Sequence, residues 1–462
     1  MRKFDWISFA IVISLMIIGL MMIYAAGYQP DSEIPFFSTQ AGRQSIFAIV
    51  TFIVLISTQL IDWKFWSGVA YPFYAFTIFL LILVLFLGTT IKGSTSWFQM
   101  GWLNFQPSEL AKMGTIMALA SFLSHHRTRV SDTRDLLIAS GIILLPAILV
   151  LAQGDAGSAL VFLSIFIVLF REGLAMWIPV LFLLLALLFV LALKFDVWVV
   201  LPLLLFAGSI FLLSSLKLRQ QHVLVSLGVL FICIMLAVLG FLKPVIAISA
   251  VFMIYASFES IRARQTRQVT LLSVGVIFLF GFAYISSYLF ENVLEPHQQD
   301  RINVWLKPEN ADPRGSLYNI LQSKIAIGSG GLTGKGYLEG TMTKLNYVPE
   351  QSTDFIYSII GEEHGFIGSI AVIILFMILS LRVVDIGERA RMPFIRHYAY
   401  GVVGVLFTHF LVNIGMTMGI MPVIGIPLPF ISSGGSSLIG FGFLVGVLFS
   451  MDSSWMRSRR GV

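Results

Sequence analysis

The sequence predicts an all-α polytopic integral membrane protein of about fourteen transmembrane helices, and two observations predict it. Mean hydropathy is +0.90, and 57% of the 462 residues are hydrophobic against 12% charged. No water-soluble core of this size hides so many Leu, Ile, Val and Phe. In addition, apolar runs close to the ~20 residues that cross a bilayer recur along the whole chain. Strands of a membrane barrel run to about ten residues with alternating character, which these runs do not show.

The runs lie at 7–27, 45–61, 66–89, 109–124, 135–152, 156–170, 173–193, 197–215, 222–241, 244–260, 269–290, 354–381, 395–420 and 434–451. The first follows Met1-Arg2-Lys3 and lacks a small-residue cleavage site before the next polar segment, so it is expected to stay as a helix. The segments at 91–108, 153–155, 291–353 and 421–433 fall on one side of the membrane, and the last of them is apolar and rich in proline. The chain reads as a single polytopic membrane domain over 1–462, with one large outer loop at about 291–353 before the last three helices.

Sidedness follows from Lys and Arg. With the N-terminus in the cytoplasm, Arg127, Arg129, Arg134, Lys217, Arg219, Arg262, Arg264, Arg267, Arg389, Arg391, Arg396, Arg457, Arg459 and Arg460 all fall inside. Both termini are then cytoplasmic. The net charge of +6 is thereby accounted for by topology, which makes nucleic-acid binding a poor explanation for it. The single cysteine, Cys233, sits in an apolar run and admits no disulfide framework.

Polar residues are costly beside so much apolar sequence, so function is sought where they gather. Glu109 and Lys112 are three apart at a helix entry behind Pro107. They share a face, and either neutralise each other inside the membrane or line a substrate site. Asp155, in Gln153-Gly154-Asp155-Ala156-Gly157-Ser158, stands where a helix N-cap is common. Ser433, Gly434 and Gly435 open the last helix with small residues. Such a start either holds an anion through free backbone N–H groups or lets helices approach closely.

The stretch from Arg301 to Glu363 carries the most information. Asp312 precedes Pro313, which restricts it to extended backbone, and has basic neighbours at Lys307 and Arg314; a turn role competes there with a catalytic one. Gly328 to Gly336 superficially resembles a phosphate loop, but Ser329 replaces its first glycine and Gly336 stands where Ser or Thr follows the lysine. Its flexible backbone near Arg301, Arg314, Lys324 and Lys335 still suits a diphosphate. Glu350, Asp354, Glu362 and Glu363 gather where the chain re-enters the membrane, with Asp354 placed to cap a helix or meet its dipole. The seven histidines show no zinc spacing, and no Gly-x-Ser-x-Gly elbow is present.

One set of motifs runs through the chain: Trp97, Phe105-Gln106-Pro107-Ser108-Glu109-Leu110-Ala111-Lys112, the Gln153–Ser158 segment, Asp312-Pro313, and Gln322-Ser323-Lys324-Ile325-Ala326-Ile327-Gly328-Ser329-Gly330-Gly331-Leu332. Thr353-Asp354-Phe355-Ile356, Gly425-Ile426-Pro427-Leu428-Pro429-Phe430 and Ser433-Gly434-Gly435-Ser436-Ser437 complete it. Taken together, these motifs resemble the SEDS family of shape, elongation, division and sporulation proteins. The Gln322–Leu332 stretch is closer to the rod-shape branch than to the division branch. The resemblance covers 1–193 and 291–462, which leaves about four helices at 194–290 as an insertion into a core of about ten. Three residues depart from the family pattern: Gly154 for a usual proline, Arg314 after Asp-Pro for an apolar residue, and Leu317 for a glycine.

The resemblance implies a peptidoglycan glycosyltransferase that polymerises lipid II into glycan strands at the outer face of the bacterial cytoplasmic membrane during elongation. Asp312 maps onto the family's essential aspartate, expected to be the general base. Trp97, Glu109, Lys112, Asp155, Arg301, Lys324, Lys335, Glu350, Asp354, Ser433, Gly434 and Gly435 are the expected substrate-binding residues. Lys112, Arg301, Lys324 and Lys335 are the candidates to stabilise the departing diphosphate. A divalent cation, Mg or Mn, is admitted beside that diphosphate without a fixed protein cage. Lipid II, the nascent strand, a class B penicillin-binding transpeptidase and other elongation-machinery membrane proteins are the expected partners. A lipid II flippase, a division-type polymerase and a scaffold are the rival readings. A flippase would expose its polar site to both faces, whereas these candidates lie on one.

Overall fold

The structure is a computed structural model, and it describes residues 4–28, 35–91, 93–101, 103–125, 128–215, 220–238, 240–313 and 315–458. Arg127, Lys217, Arg219, Arg314, Arg459 and Arg460, which the sequence reading uses, lie outside the described residues. The chain divides into two units, one of Met1–Ala175 with Asp312–Val462 and one of Met176–Ala311.

The first unit opens with α1 (Trp6–Ala26), α2 (Gln40–Ser57), the short α3 (Trp63–Gly68) and α4 (Ala70–Leu87). Three strands follow: β1 (Thr89–Ile91), β2 (Ser94–Met100) and β3 (Leu103–Phe105), antiparallel in the order β1-β2-β3. Then come α5 (Pro107–Leu123), α6 (Thr133–Ala152), α7 (Ala156–Ser164) and α8 (Phe166–Arg171). The second unit holds α9 (Trp177–Lys194), α10 (Val197–Ser215), α11 (Gln220–Val238), α12 (Leu242–Arg262), α13 (Thr266–Asn292) and α14 (Pro296–Leu306). The first unit resumes with α15 (Ser316–Ser329), α16 (Thr341–Lys344), α17 (Ile356–Arg389), α18 (Pro393–Thr417) and α19 (Gly435–Ser458).

The structure adjusts three expectations. Among the described residues ten helices are long and apolar enough to cross a membrane, where the sequence reading expects about fourteen. The run at 156–170 is split between α7 and α8, and α5 has 17 residues. The all-α expectation takes one exception, the β1–β3 sheet. Its Thr, Ile and aromatic residues suit strands, and intrahelical hydrogen bonding is compulsory only inside lipid. Finally, the stretch at 291–353 is largely folded, with α14 in one unit and α15 and α16 in the other.

Burial locates the core of the first unit. In α18 and α19, 78% of the membrane window is buried, against 22% in α4, so α18 and α19 run through protein while α4 faces lipid. Small residues make that possible. A Cβ at Gly435, Gly442 or Gly446 would collide with Phe47, Thr51 or Thr58 respectively, all on α2 or just past its end. Without a hydrophobic drive between helices in lipid, such close backbone approach supplies the packing energy. The close-approach reading of the small-residue stretch therefore applies along α19.

One face of this unit is tied by charge. Asp5, before α1, accepts from Arg382 of α17 at 2.6 Å, and Arg389 of α17 reaches Asp452 of α19 at 2.7 Å. The start of α1 and the ends of α17 and α19 therefore share a face. The ends of α1 and α18 and the starts of α2, α17 and α19 lie on the other.

Candidate active site at one membrane face

Helix α17 breaks at Gly365, where φ is 61° and ψ is −157°. A break in a membrane helix frees backbone groups that lipid cannot satisfy. Here the glycine-rich run satisfies them. Lys335 N donates to Glu362 O at 3.0 Å and Gly336 N to Glu363 O at 3.1 Å. Phe366 N donates to Gly331 O at 2.9 Å and Ile367 N to Leu332 O at 3.1 Å. A Cβ at Gly330 or Gly334 would collide with carbonyl oxygens of α17. Close backbone docking thus accounts for the glycines, in place of the phosphate-loop resemblance.

Lys335 is drawn into the same join. Its Nζ lies 2.7 Å from Glu362 Oε1 and 2.7 Å from Thr341 Oγ1. The Glu362 carboxylate, whose side chain is fully buried, also accepts from Met342 N and Thr343 N, each at 2.9 Å. These are orphan donors of the first turn of α16, so Glu362 caps that helix from another element. Its role inside the membrane boundary is a structural one.

Asp312 and Lys324 bracket much of α15. Gly315 N donates to Asp312 O at 3.1 Å, closing a turn with Pro313 at its second position. The turn reading and an exposed Asp312 side chain coexist in the structure. Lys324, also exposed, lies ~12 Å along the helix axis from Ser316. Helix α15 packs on α17 and α18, and Ser323 Oγ donates to Thr417 O at 2.9 Å. A Cβ on Gly419, just beyond α18, would lie 3.4 Å from Lys324 Cδ, so the lysine stem runs over the end of α18.

The start of α17 and the chain before α19 meet beside this point. Ser433 N donates to Ser352 O at 2.9 Å, and Ser432 Oγ donates to Thr353 O at 2.5 Å. Asp354 Oδ2 would lie 3.3 Å from a Cβ on Gly425. Phe355, rather than Asp354, is the N-cap of α17 and no side chain caps it. Thr353 Oγ1 donates to Glu350 Oε2 at 3.1 Å, and Glu350 takes a positive φ of 55°. Gln40 Nε2 reaches Ser433 Oγ at 3.0 Å, and Gly434 N donates to Gln44 Oε1 at 3.2 Å.

Below this surface Lys112 Nζ sits 2.7 Å from Glu109 Oε2, 3.1 Å from His409 Nε2 and 5.0 Å from the Phe441 ring centre. Both charged side chains are 3% exposed or less. The pair is enclosed in protein.

The remaining expected residues fall elsewhere. Asp155 caps α7, accepting from Ser158 N at 2.9 Å and Ser158 Oγ at 2.7 Å, and also from Gln106 Nε2 at 2.9 Å. Trp97 lies half-buried on β2, opposite Thr89. Arg301 is in α14, in the second unit. His409, Asn413, Gln40 and Gln44 escaped the sequence reading. Each is a polar residue inside or at the end of an apolar run, a signal that was present but weak at any single position.

The family model described as "Cell cycle protein" (FTSW_RODA_SPOVE) matches residues 5–204 and 199–456. The chain belongs to that family. The match runs on through residues read from the sequence as an insertion. One relative is the peptidoglycan glycosyltransferase RodA of Treponema pallidum, 32% identical over 97% of this chain and 98% of its own. Another is the peptidoglycan glycosyltransferase MrdB of Escherichia coli K12, 29% identical over 95% of this chain and 91% of its own. A solved chain from work on "Structural coordination of polymerization and crosslinking by a peptidoglycan synthase complex" has a TM-score of 0.63 at 23% identity, covering 99% of both chains. That likeness carries the fold, an FtsW/RodA/SpoVE-type multi-pass membrane bundle.

Proposed function

We propose that this chain is a peptidoglycan glycosyltransferase that polymerises lipid II, with Asp312 as general base. Membership in a family whose relatives carry that name supports the activity. The exposed carboxylate of Asp312, held at a proline turn ahead of α15, is the observation that carries its assignment.

The acceptor sugar's GlcNAc 4-hydroxyl attacks C1 of the donor's MurNAc as the bond from C1 to the diphosphate oxygen breaks. Asp312 takes the hydroxyl proton and the diphosphate leaves with the bonding pair. Displacement at an α-diphosphate gives a β-linkage with one base and no covalent intermediate, which parallels inverting glycosyl transfer. Lys324 is the diphosphate partner this geometry favours, since Lys335 and Lys112 already hold carboxylates. We assign a divalent cation, where one takes part, to the substrate diphosphate. Among the described residues no group of three or more His, Cys, Asp or Glu gathers to cage one.

We place the protein in the bacterial cytoplasmic membrane with both termini inside. Arg382 and Arg389, which tie the α1 start to the α17 and α19 ends, support that sidedness. A class B penicillin-binding transpeptidase is the proposed partner and elongation the proposed duty, in keeping with the synthase complex and the RodA relative.

The test is a gel of glycan polymer made from lipid II by the purified protein with its transpeptidase, native against Asp312→Asn. Polymer from the native protein alone is expected. Polymer from neither, with labelled lipid II still crossing vesicles, would make the protein a flippase.

A further inference from the structure

Two side chains one turn apart on α18 hold the backbone of the extended segment before α19. His409 Nδ1 lies 3.0 Å from Pro427 O. Asn413 Nδ2 lies 2.8 Å from Ile426 O and 2.9 Å from Asp354 O. Carbonyls inside a membrane bundle need donors, and the non-helical Gly425–Phe430 segment cannot supply its own.

The bond to Pro427 settles the imidazole. A carbonyl oxygen only accepts, so Nδ1 carries the hydrogen and Nε2 presents a lone pair. That lone pair faces Lys112 Nζ at 3.1 Å. An ammonium has three donors. One goes to His409, Glu109 Oε2 stands 2.7 Å away as an ion partner outside hydrogen-bond geometry, and another side of the group faces the Phe441 ring. With its side chain 2% exposed, the ammonium is enclosed by protein rather than open to a substrate oxygen.

We infer that His409 is a positioning residue, a neutral link of fixed tautomer through which the buried Glu109–Lys112 pair sets the place of Ile426 and Pro427. Lys112 is then a brace between α5, α18 and the extended segment, and does not touch diphosphate. Asn413 carries the same register on to Asp354. The link to catalysis rests on the glycosyltransferase reading; the link between the side chains does not.

A mutant cycle on the full-length protein tests it. His409→Asn keeps a donor near Pro427 O and removes the acceptor for Lys112; His409→Gln keeps an acceptor near the Nε2 position. Each is made in the native chain and in a Glu109→Gln/Lys112→Met background, and melting temperature and lipid II polymerisation are both measured. In the native chain His409→Asn is expected to lower polymerisation about tenfold through kcat, with KM little changed, and to lower the melting temperature. His409→Gln should recover most of that loss. In the altered background His409→Asn should have almost no further effect, since the link it breaks is already gone.

Equal losses in both backgrounds would overturn the inference, as would a raised KM at unchanged kcat for Lys112→Met. If the native protein makes no polymer, the glycosyltransferase reading falls, while the melting-temperature cycle still decides the link.

Discussion

Lys335 and Glu362, 27 positions apart, meet with Nζ 2.7 Å from Oε1, and the pair closes the join between the glycine-rich run, α16 and the broken start of α17. The Glu362 side chain has no exposed surface while the Lys335 side chain is 27% exposed. A lysine read from sequence as a diphosphate ligand is therefore a structural partner. Glu362→Ala removes the cap of α16 and the charge partner of Lys335 together. A loss of about 3 kcal/mol is expected, seen as a lowered melting temperature of the purified protein. An unchanged melt would mean that the join is held by backbone contacts alone.

Lys324→Met and Lys335→Met should separate by type of defect. The first is expected to raise the KM for lipid II about tenfold or more, the worth of a charge-assisted hydrogen bond, with little change in melting. The second should lower the melting temperature with little change in KM. The reverse pattern would return Lys335 to the substrate and remove Lys324 from it.

Asp312→Asn is expected to cut kcat by about 10²- to 10⁴-fold, as loss of a general base does. Because the side chain is exposed, yield and melting temperature should match the native protein. Residual activity above a tenth of native would argue that another group takes the proton.

Gly365→Ala should be among the most damaging small substitutions in the chain. At φ 61° and ψ −157° a Cβ is strained, at a cost of order 1–3 kcal/mol, and it would also run into Gly334 N. Poor recovery of folded protein is expected, with Gly141→Ala, where a Cβ inside α6 meets nothing within 4 Å, as the unstrained comparison. Equal recovery of the two would disprove the strain argument.

Stability at the opposite face should depend on acid pH through Asp5. Burial raises its carboxyl pKa, but hydrogen bonds from Arg382 and Ser8 outweigh that and hold it below its ordinary 3.8. A depressed folded value means that the contribution is present above the unfolded pKa and disappears as pH falls through the folded one. The melting temperatures of native protein and Asp5→Asn should therefore differ at pH 7 and pH 5, and converge on further acidification below ~4. A gap that stayed constant into strong acid would show that Asp5 does not titrate with folding.

Much of the site was legible residue by residue, but its long-range pairings were not. Glu109 and Lys112 are three apart on one helix, a spacing that allowed an ion pair or a shared substrate-lining face, and the structure shows the ion pair. Asp155 as an N-cap followed from its place before a helix. By contrast, nothing local marks His409 as the acceptor for Lys112, 297 positions away. The glycines at 330–336 looked like ligand-binding backbone because flexibility and close packing use the same residue. Only the carbonyls of α17 beside them decide between the two.

The sequence by itself determined the membrane class, most of the apolar spans and the family motifs. Each is a property of neighbouring residues, since a span of about twenty apolar side chains is written in one continuous run. The tertiary structure alone decided which charges are already satisfied. Lys112 and Lys335 end in carboxylates while Lys324 stays exposed. In a low-dielectric bundle a buried charge must find a partner, and the partner is whichever group the packing brings within reach, however distant it is along the chain.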